Sequence, residues 1–176
     1  RRRSNPRSSG RSIHIQGCPS FPYKKPVDLR FMSINMHLWI DRGRRMEPGL
    51  INRILDKKNV IAVVGASRNP EKYGHQVYKD LKAAGYKVYP VNPNAKEILG
   101  DEVYPSLKSL PAKPDIVNIV VPPEVTEEIV KTCKELSITT VWMQPGSESE
   151  EAIKFCEANG IDVIHGVCIM VERGKL

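Results

Sequence analysis

The chain has 176 residues, 40% hydrophobic and 27% charged, enough for one domain with a real core, and no apolar run reaches the roughly 18 to 20 residues that cross a bilayer. Its net charge of +7 is unevenly placed: residues 1–50 hold eleven Lys and Arg against three Asp and Glu, whereas residues 51–176 hold sixteen against seventeen. The later part is thus nearly neutral, which argues against nucleic acid as its main partner.

Residues 1–46 open RRRSNPRSSGRS and have no acid before Asp28. Their Arg, Ser, Pro and Gly content without periodicity predicts a disordered basic leader, and residues 47–176 are expected to form the folded domain. Three accounts of the leader compete: an organellar transit peptide, a nucleic-acid-binding arm, or sequence upstream of a true start at Met46. The third is the expectation, since order is predicted to begin just after Met46.

From Glu47 to Lys58, Leu50, Ile51, Ile54 and Leu55 share one face and predict a short helix. Val60–Val64 is a continuous apolar run, as in a parallel strand covered on both faces. It ends at the small-residue turn Gly65-Ala66-Ser67, followed by a helix over 74–84 that Gly85 closes. Tyr86–Val91 reads as the second strand, and residues 95–114 as a mixed region with one short strand and one short helix. Ile116–Val121 is a buried central strand. After Pro122, Pro123 suits the first position of a helix whose inner face is expected to be Val125, Ile129, Cys133 and Leu136. Thr140–Met143 is a strand; Ser147 and Glu150 have capping-box spacing for a helix with Ala152, Ile153 and Cys156 inward. Ile161–Ile164 is the last strand, with a closing element over 167–171. Alternating strands and helices predict an α/β fold, a doubly wound, mainly parallel, Rossmann-like sheet with helices on both faces.

In such sheets ligands bind beyond the carboxyl ends of the strands. Four turns stand there in sequence: Gly65-Ala66-Ser67, Asn92-Pro93, Pro122-Pro123 and Gln144-Pro145-Gly146. They carry no His, Asp, Glu or Cys, so they suit holding a ligand rather than transforming it, and no catalytic residue is assigned. The small-residue turn before a helix N-terminus suits phosphate, with Lys72 as a point charge beside it. Two departures weigh against NAD(P): the turn lacks G-x-G-x-x-G, and Asn92 stands where a ribose-binding acid is wanted. The cysteines show no metal or disulfide spacing, and Cys133 and Cys156 read as core; a reducing compartment, the cytoplasm, fits. Trp142 is expected in the core and His75 in solvent near a helix start.

GAS-x-x-P-x-x-x-G from Gly65 to Gly74, VYPVNP from Val88 to Pro93, Gly100 with Tyr104–Leu107, VVPPE from Val120 to Glu124, Val141-Trp142-x-Gln144-x-Gly146, and Cys168 with Glu172 together resemble the small stand-alone CoA-binding proteins. These are similar to the CoA-binding domain of the succinyl-CoA synthetase α-subunit. The resemblance implies coenzyme A or an acyl-CoA along the carboxyl edge, with Gly65, Ala66, Ser67 and Lys72 at its phosphates and Asn92 and Pro93 by the nucleotide. Val121, Pro122 and Pro123 would line the path, and Gln144 and Gly146 would complete the rim. It implies a carrier, sensor or regulatory module, with a homodimer or protein partner as options. The synthetase's phosphorylated histidine lies in a further domain and is matched by neither His75 nor His165. Cys168 matches the family's own cysteine and is expected to pack, with exchange toward the CoA thiol as the alternative. Gly65→Val is expected to block the pyrophosphate while sparing the fold. An NAD(P) enzyme and an interaction module with a nucleic-acid-binding leader are the alternatives.

Overall fold

A computed structural model describes residues 49–176; the expectations for the leader and for Glu47 and Pro48 lie outside the described residues. Five strands form one parallel sheet in the order β2-β1-β5-β6-β7: β1 Val60–Val64, β2 Lys87–Val91, β5 Ile116–Ile119, β6 Thr140–Met143 and β7 Asp162–Ile164. This is the expected doubly wound Rossmann-like fold. All of β5 and four of the five residues of β1 are buried, as strands covered by helices on both faces must be, Asn118 being the one polar residue of the two. β2 lies at an edge and tolerates Pro90 within it, its carbonyl accepting from Tyr104 N–H at 3.0 Å.

Side chains alternate across the sheet and divide the core in two. Ile61, Val63, Ile116, Trp142 and Ile164 pack with residues of α1 (Leu50–Ile54), α2 (Tyr73–Ala83) and α5 (Ile169–Arg173). Ala62, Val64, Val117, Ile119, Val141 and Met143 pack on the other face with α3 (Pro123–Glu135) and α4 (Glu150–Ala158). Trp142 is buried as expected, its indole N–H donating to the Val167 carbonyl at 3.0 Å. Strand order reverses between β1 and β5, which places the switch point of the sheet at the turns after those two strands.

The structure departs from expectation in detail. β5 ends at Ile119, two residues early. The mixed region is a hairpin, β3 Glu97–Ile98 with β4 Asp101–Glu102, followed by a 3-10 turn over Leu107–Ser109. Its loop, Leu99-Gly100, has positive φ at both positions (52° and 81°), which matches strand twist in a two-residue connection. On α3 the expected Cys133 is buried and Ile129 and Leu136 pack against the core, but Val125 is 45% exposed and Thr126 and Val130 point inward in addition. A hydroxyl explains the shift, because Thr126 Oγ1 donates to the Ser147 carbonyl at 2.7 Å and is thereby satisfied when buried. Ser149, not Ser147, caps α4, accepting from Ala152 N–H at 3.2 Å, and the closing element is a helix shifted two residues later.

Asp101 fixes the hairpin to α2 by accepting hydrogen bonds from Lys82 and from the buried Tyr78 hydroxyl. The Lys82 hydrogen bond, then that of Tyr78, holds the Asp101 carboxyl below its usual range, while burial and Asp101 push the Tyr78 hydroxyl up. A depressed folded-state pKa contributes stability above the unfolded carboxylate value of about 4, lost as pH falls through the folded one. Asp101 and Lys82 are both more than a third exposed, so Asp101→Asn is expected to cost only about 0.5–1 kcal/mol. Thermal melts should show that difference near neutral pH and its disappearance in acid; a difference that grows on acidification contradicts the assignment.

Candidate ligand site at the carboxyl edge

Gly65 has φ +92°, and a Cβ there would stand 2.5 Å from the Val120 carbonyl oxygen and 2.8 Å from Val121 Cγ1. The turns after β1 and β5 are therefore in contact. A Cβ on Gly74 would lie 2.0 Å from the Gly65 carbonyl oxygen, so the start of α2 is seated on the β1 turn with no room for a side chain. Asn92 completes this corner. Its Nδ2 donates to the Ala66 carbonyl at 2.6 Å and its Oδ1 accepts from Asn94 N–H at 2.8 Å, so the amide is spent on holding the first turn. This corrects Gly65→Val as a binding probe: its bulk would meet neighbouring backbone at a left-handed φ, and the fold would suffer first.

The corner has the character of an anion site. Among the described residues, the N–H groups of Ala66, Ser67 and Arg68 meet no protein acceptor. α2 is an eleven-residue helix whose N-cap, Lys72, makes no side-chain cap bond and whose first turn carries no acid. By contrast, α4 is capped by Ser149 with Glu150 and Glu151 in its first turn, and α3 has Glu124. The positive end of α2 is left without an internal counter-charge. Arg68 and Lys72 are exposed beside it, with no described carboxylate paired to either, and Glu71 is the acid of the same loop.

Other expected residues fall around this corner in different ways. Pro93 and Pro122 are exposed, Val121 and Pro123 half-buried, and Gly146 exposed with φ +91°. The Gly146 N–H donates to the Glu148 carboxylate. Gln144 is fully buried, which corrects its expected place on the rim. Its Nε2 donates to Asn118 Oδ1 at 2.6 Å, while its Oε1 accepts from Tyr73 Oη at 3.2 Å and Ile169 N–H at 3.4 Å. His75 is buried instead of solvated, its Nδ1 2.8 Å from the Ser67 carbonyl; a carbonyl partner requires the proton on Nδ1.

Four turns are legible from the sequence; the structure adds a fifth, after β7, that carries His165 and Cys168. Asp80 and Arg173, joined by two hydrogen bonds of 2.8 and 2.9 Å, clamp α5 to α2. That clamp brings Cys168 to Tyr73, with Oη and Sγ 2.8 Å apart. Tyr73 and Asn118 also escaped the sequence reading, though an Asn inside the apolar run IVNIVV was a visible signal. Cys133 and Cys156 are core residues whose thiols burial pushes up to about 12. Near pH 8 their thiolate fraction is of order one in ten thousand. In the folded chain, iodoacetamide is expected to spare both and modify Cys168, as peptide mapping would show; comparable labelling of Cys133 contradicts its burial.

At the amino ends of the strands a cavity of about 280 Å³ lies among Arg53, Asn59, Lys113, Asp115, Thr139 and neighbouring residues. Its polar groups are largely occupied: Asn59 donates to the Arg53 and Ile54 carbonyls, Asp115 accepts from Val60 N–H, and Lys113 donates to Ser137. Among the described residues there is no metal-binding group of His, Cys, Asp and Glu and no helix long and apolar enough to cross a membrane.

Fold and switch-point turns define a Rossmann-like domain with a phosphate-suited corner. Residues 59–174 match the model of the CoA binding domain family, and the chain belongs to that family. It is 36% identical over 123 residues to YneT, an uncharacterized protein of Bacillus subtilis (strain 168), covering 70% of this chain and 91% of that one. It is 34% identical over 120 residues to the α-subunit of an ADP-forming acetate–CoA ligase of Pyrococcus furiosus, covering 62% of this chain and 26% of the subunit. Among solved structures, a conserved hypothetical protein from Pyrococcus furiosus is 46% identical, with a TM-score of 0.63 over 65% of this chain and 98% of that one.

Proposed function

We propose that the chain binds CoA or an acyl-CoA at the carboxyl edge of its sheet and serves as a carrier, sensor or regulatory module. The observation that carries this reading is the β1 turn at the start of α2, where the N–H groups of Ala66, Ser67 and Arg68 meet no described acceptor and the exposed Arg68 and Lys72 have no described carboxylate partner. In this reading Gly65, Ala66, Ser67 and Lys72 receive the phosphates, and Arg68 joins them. Asn92 acts by holding the turn, with Pro93 by the nucleotide; Val121, Pro122 and Pro123 line the path, and Gly146 stands at the rim. Gln144 supports the site from within.

The family match and the ligase relatives support CoA over NAD(P), as does Asn92, a neutral amide already spent on Ala66 and Asn94. Because the chain spans 26% of the ligase subunit, the whole ligase reaction is not carried over; a protein partner that reads the bound state is part of the proposal. Calorimetric titration of the full chain with CoA, acetyl-CoA, NAD, NADP and ATP tests the ligand. Saturable binding of CoA or its acetyl ester, with NAD and NADP silent, is the expected result; selective binding of NAD or NADP overturns the reading.

A further inference from the structure

We propose that His75 is a positioning residue for the phosphate corner: by holding the Ser67 carbonyl inward, it turns the Arg68 N–H out to the ligand. This rests on the CoA site above and names a side chain that keeps that site in shape. His75 is 7% exposed, on the stretch of α2 that also buries Val77 and Tyr78. A polar ring in such a place is costly unless it is hydrogen-bonded. The bond it makes is to the turn, with Nδ1 2.8 Å from the Ser67 carbonyl oxygen.

The N–H groups of the loop from Gly65 to Lys72 can be followed one by one. Gly65 donates to the Val91 carbonyl at 3.0 Å, Asn69 to Ser67 Oγ at 3.1 Å, Glu71 to Asn69 Oδ1 at 2.9 Å and Lys72 to the Asn69 carbonyl at 3.0 Å. Pro70 has no N–H. Among the described residues Ala66, Ser67 and Arg68 alone in this loop meet no acceptor, and they are consecutive. Successive free N–H groups form a concave site for an anion. Ser67 is half-buried and Arg68 exposed, so their N–H groups stand toward the ligand's side.

The direction of these two groups follows from the carbonyls of the same peptide units. The described peptide bonds are trans, and in a planar trans unit C=O and N–H point to opposite sides. The Ala66 carbonyl accepts from Asn92 Nδ2 at 2.6 Å, which sends the Ser67 N–H the other way. The Ser67 carbonyl accepts from His75 Nδ1, which does the same for the Arg68 N–H. One grip comes from the residue after β2 and the other from α2, so each unit is set by its own side chain. Nδ1 carries its proton in the neutral and the charged ring alike, so the hold of His75 does not depend on its charge. Without that donor the Ser67 carbonyl gains by turning to water, and the Arg68 N–H leaves the ligand with it.

The test titrates the isotope-labelled full chain with CoA, following backbone amides by NMR and affinity by calorimetry. In the wild type the Ser67 and Arg68 amide protons should move downfield on binding. His75→Leu should weaken CoA binding about tenfold, the value of one hydrogen bond to a charged group, and should lose the Arg68 response while keeping that of Ser67. Asn92→Ala should lose the Ser67 response and keep that of Arg68, a split that a merely structural role would not produce. His75→Asn, whose side-chain N–H stands where Nδ1 does, should restore both the affinity and the Arg68 response, and it decides the matter if His75→Leu does not fold. CoA binding without movement of the Arg68 amide, wild-type affinity in folded His75→Leu, or no rescue by folded His75→Asn overturns the role of His75 while the binding reading stands. No binding of CoA by the wild-type chain overturns both.

Discussion

Gly74→Ala is expected to cost the domain about 3–5 kcal/mol, lowering its melting temperature by roughly 10–20 °C. The new Cβ would stand 2.0 Å from the Gly65 carbonyl oxygen, a backbone atom held by the β1 turn. Relief requires α2 to lift from the sheet, which would loosen Val77, Tyr78 and Leu81, all with no exposed surface. Gly85→Ala is the control: its Cβ would meet nothing within 4 Å, and only the positive φ of 84° is at stake, a cost of about 1 kcal/mol. Denaturant unfolding separates the two. Equal stabilities of the two variants would mean that α2 is not seated on Gly65.

Lys72→Glu and Arg68→Glu are each expected to weaken CoA binding about tenfold, the value of one charge-assisted phosphate contact near 1.5 kcal/mol, with a larger loss for the pair. Both side chains are exposed, so melting temperatures without ligand should move by no more than about 2 °C. The loss should shrink as salt is raised, because exposed charges are screened. Titrations at two ionic strengths check this. Unchanged affinity in the folded double variant removes the phosphates from this corner.

Much of the fold was legible because burial on both faces leaves a plain trace. Val60–Val64 and Ile116–Val121 read as strands from β-branched runs, the second ending two residues early at Ile119, and Gly85 marked a helix end. What escaped depends on contacts between elements far apart in sequence. Thr126 rather than Val125 faces inward at the start of α3, where its hydroxyl finds the Ser147 carbonyl, a partner that periodicity along one helix cannot reveal. Ser149 displaced Ser147 as cap for a similar reason, since its Oγ also bonds Glu127 of α3 at 2.7 Å.

The candidate site divides in the same way. The Gly65 turn and Lys72 were visible as local pattern, whereas the seat of Gly74 on Gly65 and the commitment of the Asn92 amide to Ala66 appear only when β1, β2 and α2 are brought together. The resemblance placed Gln144 on the rim; the parity that puts Trp142 on the α2 face also turns Gln144 inward, toward Asn118 and Tyr73. Tyr73 carried no motif of its own. Its role emerges from the Asp80–Arg173 clamp, which joins α2 to the loop bearing Cys168.

The central claim is that the α2 corner binds CoA, and calorimetric titration of the full chain with CoA, repeated on the Arg68→Glu, Lys72→Glu double variant, tests it most directly. The account predicts one saturable site in the wild-type chain and a loss of affinity of at least about tenfold in a double variant that melts as the wild type does. Wild-type affinity in that variant, or no CoA binding by the wild-type chain, would contradict it.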